Sequence, residues 1–340
     1  MTEIKRIAID TSKSVFTLHG VDDAGRAVLR RNLRRGELLR YFEKLPPVEV
    51  ALEACGGSHH WGRALAALGH RVRLIPPQYV KPFVKRGKND RNDAEAIAVA
   101  AAQPSIGSVP VKSAEQQAAA MLLSVRELLV RQRTQLVNAM RGHAAELGVV
   151  AALGEKGLRE LQTEIVAADE AAVPAAAKQA IALLGREVER IEGRLRAIEA
   201  ELMQQHKANP LSRRLAAIPG IGPIGALNLA LWVDQTQFAS ARHFAAWLGL
   251  VPRECSTAGR QRLGGISRAG DERLRQLLVL GATAVIQHAK PGRPATSQWL
   301  LNLLSHKPRK LAAVALANKM ARIVWAMMTS GKTYRPAPAA

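Results

Sequence analysis

The sequence predicts an α/β domain followed by a helical remainder, and three observations carry that expectation. Short apolar runs bounded by turn residues fill the first hundred positions, with a helical pattern between two of them. Apolar residues then recur in steps of three and four over residues 181–202. Beyond that, helical patterns are separated by Gly- and Pro-rich turns. At 340 residues the chain is long enough for two or three domains, and we divide it at 1–110, 111–208 and 209–340. Its 48% hydrophobic and 23% charged residues exclude a wholly disordered or collagenous chain.

Taken in order, residues 4–10, 15–21 and 25–33 read as a three-stranded meander, with Asp-Thr-Ser-Lys and Asp-Asp-Ala-Gly as its turns. An apolar run at 48–54, a helix over 58–68 and a strand at 71–75 closed by Pro76 and Pro77 follow. Strand, helix, strand implies parallel pairing, because parallel neighbours need a crossover of that length. Asn92 or Asp93 can then cap a helix running through Ala102. Ile181, Leu184, Val188, Ile191, Leu195, Ile198 and Leu202 form a coiled-coil seam. Leu122, Val125, Leu129, Leu136 and Leu147 form a weaker one, which pairs with the first or with another copy of the chain. The Ala-rich segment 148–177 between them reads as a helical linker.

Charge narrows the function. Lys and Arg number 49 against 28 Asp and Glu, and the net +21 favours a polyanionic partner, with nucleic acid the first candidate. No membrane association is expected, because the apolar stretch 311–328 is interrupted by Asn318, Lys319 and Arg322, and the first residues lack a signal-peptide pattern. Two cysteines, Cys55 and Cys255, cannot build a disulfide framework or a thiolate zinc site, which fits the cytoplasm. Cys55 with His59 and His60 has no ligand spacing, and beside Trp61 it reads as packing. Cys255 reads as a buried neighbour of the loop that follows it. With aromatics at 4%, an extensive base-stacking surface is not expected.

The acids fall at element ends. Asp10 closes the first strand, Glu53 closes the fourth, and Asp90 and Asp93 stand three apart at the start of a helix. Four carboxylates from three elements can meet at one sheet edge, the arrangement that holds hard divalent cations for phosphodiester chemistry. Lys81, Lys85, Arg86, Lys88 and Arg91 would accept the phosphate backbone around them. This order of strands and acids is that of the ribonuclease H-like, or RuvC-like, fold.

The strings IAIDTSK (7–13), LEACGGSHHW (52–61), PPQYVKPFVKRGKNDRNDAEAI (76–97) and GLVPRECSTAGRQRLGGISRAGD (249–271) resemble the insertion-sequence-110 family of transposases, subgroup 1111. These are also called DEDD transposases or bridge-RNA-guided recombinases. The resemblance covers nearly the whole chain and implies that Asp10, Glu53, Asp90 and Asp93 bind metal, as Mg2+. It also implies double-stranded DNA as substrate, a guide RNA encoded by the element, and a homo-oligomer, dimer or tetramer.

Two further segments bear on nucleic acid. Residues 218–225, Ile-Pro-Gly-Ile-Gly-Pro-Ile-Gly, lie between helical patterns, and Gly220 and Gly222 permit a helix-hairpin-helix turn whose backbone amides face a phosphate. Arg253, Arg260, Arg262, Arg268, Arg273 and Arg275 surround a Gly-rich loop ahead of a helix that Asp271 can cap. That loop lacks the spacing of an NTP-binding P-loop. The resemblance makes Ser256 within it the nucleophile that joins covalently to a DNA end, with Thr257 the neighbouring hydroxyl and Ala258 standing where a Gly is common. The basic positions His306, Lys307, Arg309, Lys310, Lys319 and Arg322 are further candidates for nucleic-acid contact. The expected function is therefore a transposase that cuts and rejoins DNA through Ser256. Its rivals are a metal-dependent nuclease or junction resolvase with water as nucleophile, and a non-catalytic nucleic-acid-binding protein derived from a transposase.

Overall fold

The computed structural model describes residues 3–85, 89–293 and 296–335. Its contacts divide the chain into two compact units, Met1–Gln117 and Ala118–Ala340. The second unit holds both the long helices and the C-terminal ones.

In the first unit, β1 (Arg6–Asp10), β2 (Val15–Val21) and β3 (Ala27–Arg34) form the expected antiparallel meander. The β2–β3 turn is held by Asp22, whose carboxylate accepts from the Arg26 backbone and guanidinium, both at 2.9 Å. After α1 (Leu38–Phe42), β4 (Glu49–Glu53) pairs in parallel with β1. Then α2 (Ser58–Ala67) crosses over to β5 (Arg71–Ile75), parallel to β4, giving the order β3-β2-β1-β4-β5.

Alternation along the strands divides the core in two. Ile7, Ile9, Phe16, Leu18, Val50 and Leu52 face one way and pack with Phe42, Trp61 and Leu65. Ala8, Val21, Ala51 and Ile75 face the other way, against α4 (Asp90–Ala102), which follows the short α3 (Pro77–Val80). Alanines on both partners, Ala8 and Ala51 against Ala96 and Ala100, let α4 lie close on the sheet. The helix start differs from the expected one. Asn89 is the cap, its extended backbone placing the side-chain oxygen 3.0 Å from the Asn92 amide, so Asp90 and Asp93 both lie in the first turn.

In the second unit, α5 (Ala114–Glu146) and α7 (Ala175–Ala208) pair antiparallel within the chain. Leu123 packs with Leu202, Leu129 with Ile191 and Leu195, and Met140 with Ile181 and Val188. Arg126–Glu199 at 2.7 Å and Arg133–Glu192 at 2.6 Å flank the seam. All seven seam positions of α7 lie in these clusters, whereas Val125 of the weaker seam stays 44% exposed and Leu147 falls past the end of α5. The segment expected as a linker instead contains α6 (Gly154–Ala167). Its Leu158, Leu161 and Ile165 share one face and are buried against α5 and α7.

The rest of this unit is α8 (Pro210–Leu215), α9 (Pro223–Trp232), α10 (Ala241–Trp247), a hairpin of β6 (Pro252–Glu254) and β7 (Leu263–Ile266), then α11 (Glu272–Gln287), α12 (Gln298–His306) and α13 (Arg309–Ser330). One core joins Leu215, Phe244, Leu278, Leu300, Ala317 and Val324. By length and composition α13 is apolar enough to cross a membrane, despite the polar residues that interrupt it. Here it is the central helix of the core, with Ala312, Ala317, Met320, Ala321 and Val324 buried. Asn318 turns its amide to the Leu250 carbonyl at 3.1 Å.

Candidate functional site

Parallel pairing brings the C-terminal ends of β1 and β4 to the same edge of the first unit, and the Asn89 cap starts α4 beside them. As a result Asp10, Asp90 and Asp93 present carboxylate oxygens within 4.8 Å of one another. Burial raises Asp10 from an ordinary 3.8 to about 6, with the negative charges of Asp93, Asp90 and Glu53 adding to the rise. Glu53, at the end of β4, is raised by burial and then by Asp93. Glu53 thus neighbours the trio electrostatically but lies outside its tight grouping. Carboxylate oxygens gathered this closely, two of the trio partly buried and Asp90 exposed, suit a hard divalent cation, which oxygen ligands of this kind hold.

The basic residues expected around the acids have separate fates. Lys81 is exposed, while Lys85 donates to Glu95 at 2.6 Å on α4 and is therefore engaged. Arg91 is exposed in the first turn of α4. Arg86 and Lys88 lie outside the described residues. Of the Cys-His cluster only part packs: His59 accepts the Lys112 amide at 3.2 Å, burial lowers its pKa, and Trp61 sits edge-on against Phe16 in the core, whereas Cys55, expected to pack, is exposed, as is His60.

In the second unit Ser256 stands exposed at the end of β6. Its hydroxyl donates to Glu254 Oε1 at 2.8 Å and accepts the Arg262 amide at 3.1 Å. Glu254 ends β6 and Ser256 follows two residues beyond it, and the sequence offers no motif that marks Glu254 as its partner. The loop closes through a bridge between Thr257 and Arg260, with Ala258 at φ 49° and Gly259 at φ 77°. A positive φ explains why Gly suits the place Ala258 occupies. Cys255, expected to be buried, is exposed.

Arg253, Arg260, Arg262 and Arg268 are exposed, as a phosphate-facing set requires. Arg273 and Arg275 are not part of that set. Arg273 pairs with Glu127 at 2.7 Å and lies over Trp232, and buried Arg275 donates to the Leu248 and Ala269 carbonyls. Asp271 caps α11 as expected. Gly270 closes the base of the loop at φ 68°, where a Cβ would overlap the Trp247 carbonyl.

Gly220 and Gly222 occupy the turn between α8 and α9, both exposed. At Gly220 (φ 87°) a Cβ would come within 2.7 Å of the Gly281 carbonyl oxygen, so close packing on α11 already requires glycine there. Gly222 precedes α9 with open space around its Cβ position. Towards the C-terminus His306, Lys307, Arg309 and Lys310 are exposed, whereas Lys319 rests 4.3 Å over the Trp299 ring and burial lowers its pKa.

Two family patterns match the chain. The DEDD transposase domain of the IS110 type matches residues 7–148, and the transposase IS116/IS110/IS902 family pattern matches residues 212–297. Relatives extend over the whole length. The transposase for insertion sequence element IS1111A of Coxiella burnetii is 39% identical over 98% of this chain and 92% of its own.

The chain belongs to the IS110 family of transposases.

The transposase for element IS1328 of Yersinia enterocolitica is 36% identical over 98% of this chain and 99% of its own. A Sinorhizobium fredii protein named "Putative transposase y4pF/y4sB" is 52% identical over 98% of this chain and 87% of its own. This IS110-family chain is accordingly an enzyme of DNA transposition, and its DEDD domain implies the use of a divalent metal. The mixed α/β first unit agrees with a ribonuclease H-like DEDD domain.

Proposed function

We propose that this transposase cuts and rejoins double-stranded DNA in the cytoplasm through a covalent intermediate on Ser256, with the carboxylates of the first unit serving the same reaction. The observation that carries this reading is the Ser256 hydroxyl pointed at Glu254 Oε1, 2.8 Å away, on an exposed arginine-flanked hairpin. Asp10, Glu53, Asp90 and Asp93 would hold the divalent ion, Mg2+ in this reading, and once bound it supplies polarisation of phosphate oxygens.

The chain's own residues act as follows. Glu254 takes the Ser256 proton as Oγ forms a bond to phosphorus. The P–O bond to one deoxyribose breaks, and that oxygen leaves with the electron pair and takes a proton from water. Arg253, Arg260, Arg262 and Arg268 offset the charge on the phosphate. A deoxyribose hydroxyl of the partner strand then attacks the phosphoserine and gives its proton to the hydroxide left by the first step, the P–Oγ bond breaks, and Ser256 Oγ leaves with the electron pair and regains its proton from Glu254.

The remaining assignments complete the proposal. The first unit through residue 110 is the DEDD domain, 111–208 is the coiled-coil region, and 209–340 is the helical transposase domain. Gly220 and Gly222 form a helix-hairpin-helix turn on the DNA backbone, and Lys81, Lys85, Arg86 and Lys88 carry further phosphate contacts. An RNA encoded by the element guides the choice of DNA, and a homo-oligomer joins the two duplexes. No membrane takes part.

The test is incubation of the protein with labelled DNA and Mg2+, followed by denaturation. A labelled strand that migrates with the protein, and is lost in Ser256→Ala, is the expected result. Free ends alone would assign the attack to water and make the chain a metal-dependent nuclease.

A further inference from the structure

The arginines of the first unit fall into two groups. Arg6, Arg71 and Arg73 surround the buried Glu49, Arg26 pairs with Asp22, and Arg63 donates to the Lys112 carbonyl and Gln117. Arg30 and Arg34 on the edge strand β3, and Arg91 on α4, are exposed, and among the described residues none of their three guanidinium groups has a carboxylate within 4.0 Å, the Glu37 carboxylate taking the backbone amide of Arg34 at 2.8 Å instead. Glu95, whose charge Arg30 feels, is already held by Lys85.

Register places this second group. Asp10 lies opposite Thr17 on β2, and Thr17 lies opposite Asn32 on β3, so the three share one sheet face in a row. Two strand spacings separate Asp10 from Asn32, about 10 Å. Arg30 and Arg34 flank Asn32 on that same face at two residues either side, a span of about 13 Å along the strand. Arg91 comes to them from α4, and a recess of about 150 Å³ is lined by Thr17, His19, Arg30, Asn32 and Arg91. Burial lowers the pKa of His19, Glu95 opposes this, and the charges of Arg30 and Lys85 lower it further. Arg30 and Arg91 thus line a polar recess on the sheet face of Asp10, with Arg34 further along β3 on that face, and no described carboxylate pairs with any of these three guanidinium groups.

Taking nucleic acid as the substrate of the Asp10 cluster, and so resting on the function proposed above, we propose that Arg30, Asn32, Arg34 and Arg91 form a phosphodiester-binding track. It leads a nucleic-acid strand across β3 and β2 towards Asp10. Guanidinium groups take the phosphate oxygens through forked hydrogen bonds, and the Asn32 amide donates to another. These contacts are distinct from Lys81, Lys85, Arg86 and Lys88, which lie after β5 in the chain.

The test compares full-length Arg30→Gln/Arg34→Gln/Arg91→Gln with the parent chain and with Arg40→Gln/Lys44→Gln/Arg196→Gln, which removes equal charge from exposed positions elsewhere. Fluorescence anisotropy over a salt series follows binding of labelled duplex DNA, with single-stranded RNA of the same sequence as a parallel arm. Loss of the track lowers the slope of log K against log salt by about 2 to 3 and weakens binding more than tenfold at low salt. The control triple keeps the parent slope to within about 1. Melting temperatures stay at the parent value, because the three arginines have no acidic partners to lose. The polyanion arm that shows the larger change names the strand that occupies the track. An unchanged slope, or an equal change in the control triple, overturns the track while leaving Ser256 and the acids untouched. A parent chain that binds neither polyanion overturns the track and the function together. Arg91→Gln alone, on an exposed helix turn, repeats the measurement if the triple does not fold.

Discussion

The two units hold their reactive groups in opposite ways. In the first, Asp10 and Glu53 end strands of a five-stranded sheet, and Asp90 and Asp93 ride on a capped helix, so the backbone ladder places oxygens that repel one another. In the second, Ser256 stands on a two-stranded ribbon whose residues 252–265 are all at least partly open to solvent, held by one carboxylate and one amide. The difference teaches where each site keeps its stored free energy. The acids carry theirs as burial of ionised carboxylates and, after that, as the charge repulsion a cation relieves, whereas the hydroxyl loop carries a left-handed Ala258 and tight glycine contacts at its base.

Removing either reactive group should have the largest effect. Ser256→Ala and Asp10→Asn should each lower recombination at least about 1000-fold. They should separate on metal titration by calorimetry, which Asp10→Asn weakens and Ser256→Ala leaves alone. Equal behaviour in both assays would erase the contrast. Next, Gly270→Ala places a Cβ on the Trp247 carbonyl and should destabilise the second unit by about 3 kcal/mol. Hydrogen exchange should show that loss in α10 and α11 and spare the sheet. Glu254→Gln should slow the protein–DNA adduct about 100-fold while leaving the fold intact, because Ser256 loses its proton acceptor. Adduct formation at the parent rate would make Glu254 a strut only.

Smaller effects separate the units by pH. Asp10 titrates at about 6 in the folded chain against 3.8 ordinarily, so protonation favours the fold. Without metal, the Asp10 contribution to stability should be greatest below about pH 4 and be lost as pH rises to 6, so that Asp10→Asn and the parent chain should differ in melting temperature by a few degrees more at pH 7 than at pH 4. Asp10→Asn or added divalent metal should remove that slope. Ala258→Gly should do least, relaxing a positive φ and stabilising the hairpin by about 0.5–1 kcal/mol.

Much of this was legible because it depended on local pattern. β5 at Arg71–Ile75 stands at its expected bounds, since a charged, turn-bounded apolar run closed by Pro76-Pro77 leaves little freedom. The acids were readable because parallel pairing must bring β1 and β4 ends together. What the sequence did not display was anything settled by tertiary packing. Residues 154–167 look like a linker by their alanines and glycines, and become a helix only because α5 and α7 offer a groove for Leu158, Leu161 and Ile165. Arg273 and Arg275 look like phosphate ligands until Glu127 and two backbone carbonyls take them. Asn89 outcompeted two later caps because its backbone alone is extended there.

The helix α13 sets a timetable for synthesis. Because Ala317, Met320 and Val324 complete the interior against which α10 and α11 close, a ribosome must translate past Val324 before the serine ribbon has a firm base. The DEDD sheet lies wholly within the unit that ends at Gln117, so its own contacts are available long before. A polypeptide stopped anywhere between those points would carry its carboxylates on a finished platform and its hydroxyl on an unfinished one, so under the proposed function premature termination would silence strand joining ahead of metal capture.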